Sequence, residues 1–551
     1  MTIRAASAGM GSTLWTLPLS PSGFNVAAAV LGGFLSTFGL VSYLLKEHYY
    51  LPEALISLLT GIVVGPDGLG FIRPGDYTGC DVDGISTVDC RKSLSAITLN
   101  FSRLVLCIQL VLAGVQLPSK YLKRECKSLL LLIGPGMAAM WLTTSYLVWM
   151  CIDTPSFLHA LAIGACVTPT DPVLSAVIVK GRFADQNIPR ELQDLIIAES
   201  GFNDGLGYPF LFFALYLIKF AGAGADSGPG RIADAMSLWL VLTLGYTILF
   251  SILYGAVVGW AGKRLLQWAE KNKYIDHESF LMFAIALALF LLGTCGLLGT
   301  DEVLACFIAG NAFTWDDWFR LRTKDDSLQP TIDMLLNVTI FLWYGASLPW
   351  NSFVDTPNIS LWRLLILGAL VLAFRRLPWI VAMRQWIPQL ENARQAVFAG
   401  FFGPIGVSAV FYLFIALDFI ESHLGAGQGN PGPRTDVMDL AQTLRTVVWF
   451  LVVCSIVIHG LAVPLGKASY MGPQTLSRVL SISLSEENRL RVPAAVFPRI
   501  RIPVLPKPLD AKLGDIESTP VRHTESVEEA RAASADTHHG LPDVDLLVDV
   551  R

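Results

Sequence analysis

The sequence predicts an all-α polytopic membrane protein of about thirteen transmembrane helices. Three observations carry that prediction. Of the 551 residues, 53% are hydrophobic and only 15% charged, with mean hydropathy +0.53, whereas a soluble domain carries about 25% charged residues. Apolar runs of membrane-crossing length alternate with polar loops. Lysine and arginine collect in every second loop. The net charge of −5 gives no ground for a nucleic-acid partner, and no basic groove pattern is present.

The candidate spans, in order, are 24–45, 52–66, 94–117, 128–152, 157–180, 192–219, 236–262, 278–299, 301–314, 330–349, 360–383, 394–418 and 442–466. The first follows an uncharged "TLWTLPLSPSG". It is too long for a signal-peptide core and has no cleavage site, so it reads as a span. The second and ninth are short. Basic residues mark alternate loops: Lys120, Lys123, Arg124 and Lys127; Lys180, Arg182 and Arg190; Lys263, Arg264, Lys271 and Lys273; Arg320, Arg322 and Lys324; Arg384 and Arg394. The loops at 152–156, 299–300 and 350–359 carry none, and 419–441 has only Arg434. This alternation puts the N-terminus outside and the C-terminus in the cytosol. The loop at 67–93, with Arg73, Arg91 and Lys92, is the exception.

That loop also holds Cys80 and Cys90, a candidate disulfide on the outer side; two free thiols are the alternative. "NIS" at 358–360 is a glycosylation sequon on the same side. The other seven cysteines are scattered singly and read as core thiols, and no metal-ligand pair occurs among them. The chain thus divides into an external segment (1–23), a transmembrane domain (24–466), a membrane-proximal amphipathic segment (467–491) and a tail (492–551). The tail is rich in Pro, Ser, Thr and charge and reads as disordered. Within it, His538–His539 reads as a solvated pair.

Four spans carry residues that a bilayer makes expensive. "CVTPTDPVL" (166–174) places Pro169, Thr170, Asp171 and Pro172 inside an apolar run. Each proline removes a backbone donor and disfavours helical geometry at the residue before it. A carboxylate there costs a few kcal/mol or more unless it faces a partner or a wet cavity. "ESGFNDGLGYPF" (199–210) follows in the sixth span. Glu199 and Asn203 share one stripe, and Ser200 and Asp204 another. "AFRRLPWI" (373–380) places Arg375 and Arg376 in the eleventh span. A buried arginine needs a carboxylate, and Glu199 is the candidate partner of one of them; snorkelling to the inner face is the alternative. "FFGPIGVSAVFY" (401–412) predicts a break at Gly403, Pro404 and Gly406.

Taking the seventh span as a linker leaves two halves of six. The fifth span of each half is then the broken one, and the halves enter from opposite faces. This is the pattern of inverted six-helix repeats with crossed discontinuous helices around a transport site. Freed carbonyls and carboxylates suit a hard cation. Asp171 is expected to compensate the end of an opposed broken helix. Asp204 is expected to be the exchangeable carboxylate, holding a proton or a cation in turn. Asp301 and Glu302 start the ninth span, either lining an outer vestibule or serving as acids at a helix N-terminus. His459 reads as bonding a carbonyl, with pH sensing as the alternative.

"TDP" followed by "ESGFNDG" resembles the monovalent cation/proton antiporter superfamily. "DHESFLMFAIALAL" (276–289), "GTDEVLACFIAGNAFTWDDWF" (299–319) and "FFGPIGVSAVFY" closely resemble the fungal plasma-membrane sodium (alkali-cation)/proton antiporters. The resemblance covers roughly residues 20–490. It implies thirteen spans, a core domain that moves against a dimerisation domain, and a homodimer. It implies exchange of cytosolic Na+ (Li+ and K+ as further substrates) for external H+, in alkali-cation and pH homeostasis at the plasma membrane, without a cofactor. By the same resemblance Asp204, as Na+ or Li+ ligand and proton carrier, pairs with Asn203, and Thr170 and Asp171 form the unwound-helix pair. Glu199 pairs with an eleventh-span arginine, Arg375 or Arg376. Asp276, Asp301 and Glu302 match acidic positions of the fungal branch, although Glu302 stands where a second aspartate is expected.

A cation channel or ion sensor is the alternative function. An intramembrane aspartyl protease using Asp171 and Asp204 is disfavoured, because "GFND" lacks the Gly-x-Gly-Asp pattern. "HESFL" (277–281) is not a His-Glu-x-x-His metalloprotease motif.

Overall fold

The computed structural model describes residues 22–45, 49, 51–78, 87–172, 174–175, 188–221, 231–324, 326–354, 356, 359–424 and 435–486, with only the backbone of 87–89, 435 and 465–486. Every regular element among them is helical. The main helices are α1 (Gly23–Tyr43), α2 (Glu53–Val64), α3 (Thr87–Gln116), α4 (Cys126–Cys151), α5 (Phe157–Val167), α6 (Arg190–Ala221), α7 (Arg231–Lys271) and α8 (His277–Leu298). They continue with α9 (Glu302–Phe313), α10 (Leu328–Ala346), α11 (Leu361–Phe374), α12 (Leu377–Met383), α13 (Ala393–Phe401), α14 (Val407–His423) and α15 (Thr435–Glu486). Eight of the helical stretches are long and apolar enough to cross a membrane.

The compact helical unit runs to Val479 and has one large buried core reaching from α2 to α15. α1 stands largely apart from that core, with Phe38 its only buried residue. α7 exposes Leu240, Val241, Leu249, Leu253, Val257 and Trp260 along one side. Apolar side chains facing outward along whole helices are what a hydrocarbon solvent permits.

Lipid tails are as apolar as leucine, so helices in a bilayer associate by close packing rather than by hydrophobic exclusion. Glycines make this possible. α2 and α10 cross backbone to backbone: a Cβ on Gly61 would lie 2.2 Å from the Leu342 carbonyl oxygen, and one on Gly345 would lie 2.3 Å from that of Leu58. α7 meets α9 in the same way, through Gly255 and Gly259 against the carbonyls of Ala305 and Ala309.

The predicted interruptions are present. α5 stops at Val167, and the helix restarts only at Pro172. α13 stops at Phe401, and α14 starts at Val407. A third break was not expected: the predicted 360–383 span divides at Arg375–Arg376 into α11 and α12. Pro378 lies in the first turn of α12, where its missing N–H costs nothing. The expected amphipathic segment is not a separate helix, since α15 continues without a break to Glu486. Cys90 is disulfide-bonded. Cys80, His538–His539 and the 492–551 tail lie outside the described residues.

Because the α2–α10 contact is backbone on backbone, Gly345→Val is expected to destabilise the protein by at least the roughly 1–3 kcal/mol typical of overpacking. Gly39→Ala, with nothing within 4 Å of the added carbon, serves as the control. Thermal unfolding in detergent should separate the two variants, and equal melting temperatures would refute the crossing.

Candidate functional site

The two interruptions meet. The Asp171 N–H donates to the Pro404 carbonyl at 3.0 Å, joining the extended segment after α5 to the one before α14. The Asp171 carboxylate accepts from the backbone N–H of Val407, the first residue of α14, and from Leu174 N–H at 3.2 Å. It therefore caps a helix N-terminus whose orphan donors and positive dipole end would otherwise face the interior. Gly406 is required beside it: an added Cβ would lie 2.0 Å from Asp171 Oδ2.

The opposite helix ends carry excess carbonyls, and Arg375 supplies their donors. Its guanidinium bonds the carbonyls of Val167, Thr168 and Pro169 at the end of α5, and that of Gly403 after α13. Arg376 turns the other way. It makes a two-pronged pair with Glu199 on α6, at 2.5 Å and 2.7 Å, and its Nε donates to the Ala399 carbonyl at 3.0 Å. Arg375, Arg376 and Glu199 are 2%, 3% and 2% exposed, so neither arginine snorkels. The question of which arginine meets Glu199 is thereby settled within this structure as Arg376, while Arg375 serves backbone.

Beside this compensated frame lies a set of oxygens with spare capacity. Asn203 Nδ2 donates to Thr170 Oγ1 at 3.1 Å, Thr170 and Ser200 share a contact of 3.2 Å, and Ser200 reaches Ser175 at 3.3 Å. Both carboxylate oxygens of Asp204, the Asn203 side-chain oxygen and the Ser408 hydroxyl are buried with no hydrogen-bond partner. Asp171, Asp301 and Ser408 are among the polar groups that act on Asp204. Asp204 is 0% exposed. A buried ionised carboxylate without a partner is not a stable arrangement. It needs either a proton or a cation, and the neighbouring hydroxyl and amide oxygens are the hard donors that a small alkali cation takes.

The predicted residues separate into those brought together and those left apart. Thr170, Asp171, Ser200, Asn203 and Asp204 cluster as expected, with Pro169, Pro172, Gly403, Pro404 and Gly406 forming the breaks around them. Asp301 caps α9 by accepting from Leu304 N–H at 3.0 Å, and its second oxygen has no partner. Glu302 is paired with Arg103 of α3 at 2.6 Å. Asp276 is exposed before α8, and its carboxyl sits below the usual range chiefly because the Ser279 hydroxyl donates to it. It is not part of the cluster. His459 bonds the Phe401 carbonyl.

One partner escaped the sequence reading. The Tyr412 hydroxyl, on α14, donates to the backbone carbonyls of Asp204 and Gly205. The signal was available: Pro209 lies four residues after Gly205 and has no N–H, so the Gly205 carbonyl loses its helical donor. An outside hydroxyl fills the gap directly beside the orphaned carboxylate.

The family model "Sodium/hydrogen exchanger, transmembrane" matches residues 33–465. The chain belongs to the sodium/hydrogen exchanger family. That is a family of transporters, not enzymes. The chain is similar to the Na(+)/H(+) antiporter 2 of Zygosaccharomyces rouxii, 35% identical over 80% of this chain and 52% of that protein. The Na(+)/H(+) antiporter of Saccharomyces cerevisiae is 36% identical over 81% of this chain and 44% of its own length. A Schizosaccharomyces pombe Na(+)/H(+) antiporter is 30% identical over 80% and 89%. The chain thus spans about half the length of the first two. The sodium proton antiporter MjNhaP1 from Methanocaldococcus jannaschii shares the fold, with TM-score 0.54 at 20% identity over 79% of this chain and 99% of that one.

Removing one partner of a buried ion pair leaves the other charge unpaired and costs about 3–5 kcal/mol. Glu199→Gln is therefore expected to lower thermal stability clearly more than Asp204→Asn, which removes a charge that has no partner to lose. A Glu199→Gln protein as stable as the parent would show that the pair is not a structural joint.

Proposed function

We propose that this chain is a secondary active antiporter that exchanges cytosolic Na+ for external H+ by alternating access, with Li+ and K+ as further substrates. The observation that carries the reading is the buried, unpartnered carboxylate of Asp204 among unpartnered oxygens. Asp204 binds the cation and the proton in turn. Asn203, Thr170, Ser200 and Ser408 complete the oxygen shell, and Asp171 holds the crossing. Glu199 and Arg376 form the structural ion pair, and Arg375 stabilises the broken ends. Asp301 caps α9 and Glu302 pairs with Arg103, and Asp276 plays no direct part.

The topology that fits this reading has thirteen crossings and two inverted six-helix halves, with the N-terminus outside and the tail in the cytosol. Residues 24–466 form the exchanger, and 467–491 lead from it to the tail. The active form is a homodimer at the plasma membrane, where it serves salt tolerance and pH homeostasis. The relatives named Na(+)/H(+) antiporter support the ion pair exchanged. The direct test is dissipation of a pH gradient in sealed vesicles on adding each alkali cation in turn. A response to Na+ is expected, and cation flux without proton movement would sink the exchanger and favour a channel.

Asp204→Asn keeps the shape and removes the exchangeable charge. It is expected to abolish exchange in correctly inserted, folded protein; near-normal transport by that variant would remove Asp204 from the mechanism.

If proton and cation compete for one carboxylate, lowering pH raises the apparent KM for Na+ and leaves the rate at saturating Na+ nearly unchanged. Rates measured against Na+ concentration at several pH values read this directly. A pH effect confined to the saturated rate would contradict simple competition.

A further inference from the structure

The interruption between α13 and α14 leaves the Ile405 N–H without a partner in its own segment, and the Phe401 carbonyl with only the Gly403 N–H, at 2.9 Å. The Phe401 carbonyl ends α13 and has no helical donor. The Ile405 N–H lies in extended chain at 0% exposure. Both are met by one pair of side chains on α15. Ile405 N–H donates to Ser455 Oγ at 2.7 Å, and His459 Nε2 lies 3.0 Å from the Phe401 carbonyl oxygen. Ser455 Oγ and His459 Nδ1 are 3.1 Å apart, so the two side chains are also joined to each other. They stand four residues apart on one helix face, and both are buried.

One neutral tautomer of the ring serves both contacts. Ser455 Oγ uses a lone pair on Ile405, so its own proton needs an acceptor, and Nδ1 is placed to accept it. The ring proton then sits on Nε2 and is donated to Phe401. The Ser455 carbonyl lies 2.9 Å from Nδ1 and accepts from it in the other neutral tautomer. The charged groups that face the ring are Arg375 and Arg376, both positive. A second ring proton would add a third buried positive charge.

Ile405 lies between the residues that hold Asp171. Pro404, just before it, accepts from Asp171 N–H, and Val407, two residues after it, donates to the Asp171 carboxylate. We propose that Ser455 and His459 form a neutral clamp across the α13–α14 break, and that this clamp positions Asp171 and hence the cation site. They are positioning residues and touch no ion. The proposal rests on the exchanger reading for its kinetic consequence, but not for the clamp itself.

The test uses the full chain in sealed vesicles, with Na+ added against a pH gradient, and amide hydrogen exchange of the peptide spanning 401–407. Ser455→Ala and His459→Phe are each expected to raise the apparent KM for Na+ by roughly tenfold, equivalent to about 1.4 kcal/mol, with the saturated rate within about twofold of the parent. The double variant should be no worse than the poorer single one, because both break one device. Ser455→Thr keeps the hydroxyl, and His459→Gln keeps a donor near the Nε2 position. Both should retain most of the parent affinity even if the harsher variants fold poorly. Amide exchange across 401–407 should be faster in Ser455→Ala than in the parent. Additive effects, an unchanged KM with a lowered saturated rate, or His459→Gln behaving like His459→Phe would overturn the clamp. So would a pH dependence of the saturated rate that His459→Gln abolishes, since the ring would then be a sensor. If the parent moves no protons with any alkali cation, the exchanger reading fails. The clamp is then decided by amide exchange alone, and unchanged protection in Ser455→Ala would refute it.

Discussion

The structure depends on one constraint: the breaks after α5 and between α13 and α14 meet inside an apolar body, and every backbone group freed there needs a partner. A bilayer offers no water for this purpose. Asp171 meets the demand on one side by accepting from the first N–H of α14. Arg375 meets it on the other by donating to carbonyls at the ends of both α5 and α13. The charges oppose the helix dipoles they cap. Because each compensating group belongs to a different segment from the end it caps, the capping interactions also tie the segments together.

That frame explains why two carboxylates on α6, five residues apart, have opposite surroundings. Glu199 is held by a two-pronged arginine and is chemically spent. The Asp204 carboxylate has neither an arginine nor a hydrogen bond. A site that binds an ion and releases it requires this inequality, since a carboxylate already paired with a guanidinium gains little from a sodium ion. The neighbouring double arginine leaves Asp204 untouched because both guanidiniums are committed elsewhere, one to Glu199 and one to backbone.

The positions of two of the three breaks and of the buried acids were legible in the sequence, because proline, glycine and carboxylates in an apolar run are costly wherever they fall. Arg376 as the partner of Glu199 was not. Adjacent helical residues point about 100° apart, and the unpredicted break at their junction resets that angle. The Ser455–His459 pair shows the same limit. Its i, i+4 spacing is visible on α15, but its targets lie 50 and 58 residues away, in another interrupted segment. Tyr412 is an intermediate case: Pro209 announces an unsatisfied carbonyl, but not which hydroxyl will fill it.

The character of the joints divides the helices in a way that bears on transport. Segments α5, α6 and α11 to α15 are linked by directional polar bonds: Asp171 to Pro404, Arg376 to Glu199 and Ala399, Tyr412 to Asp204, and Ser455 to Ile405. Where α6 meets α9 the glycine contacts are apolar, with Leu304 against Gly205 and Phe307 against Gly201. Directional bonds resist displacement, because a small shift loses them. Dispersion contacts are individually small and can be remade after a shift. Asp204 lies beside that apolar seam, one residue from Gly205. On the proposed reading, a movement that exposes Asp204 first to one face and then to the other has the least to break if it runs along α6 and α9, carrying the polar frame as one body.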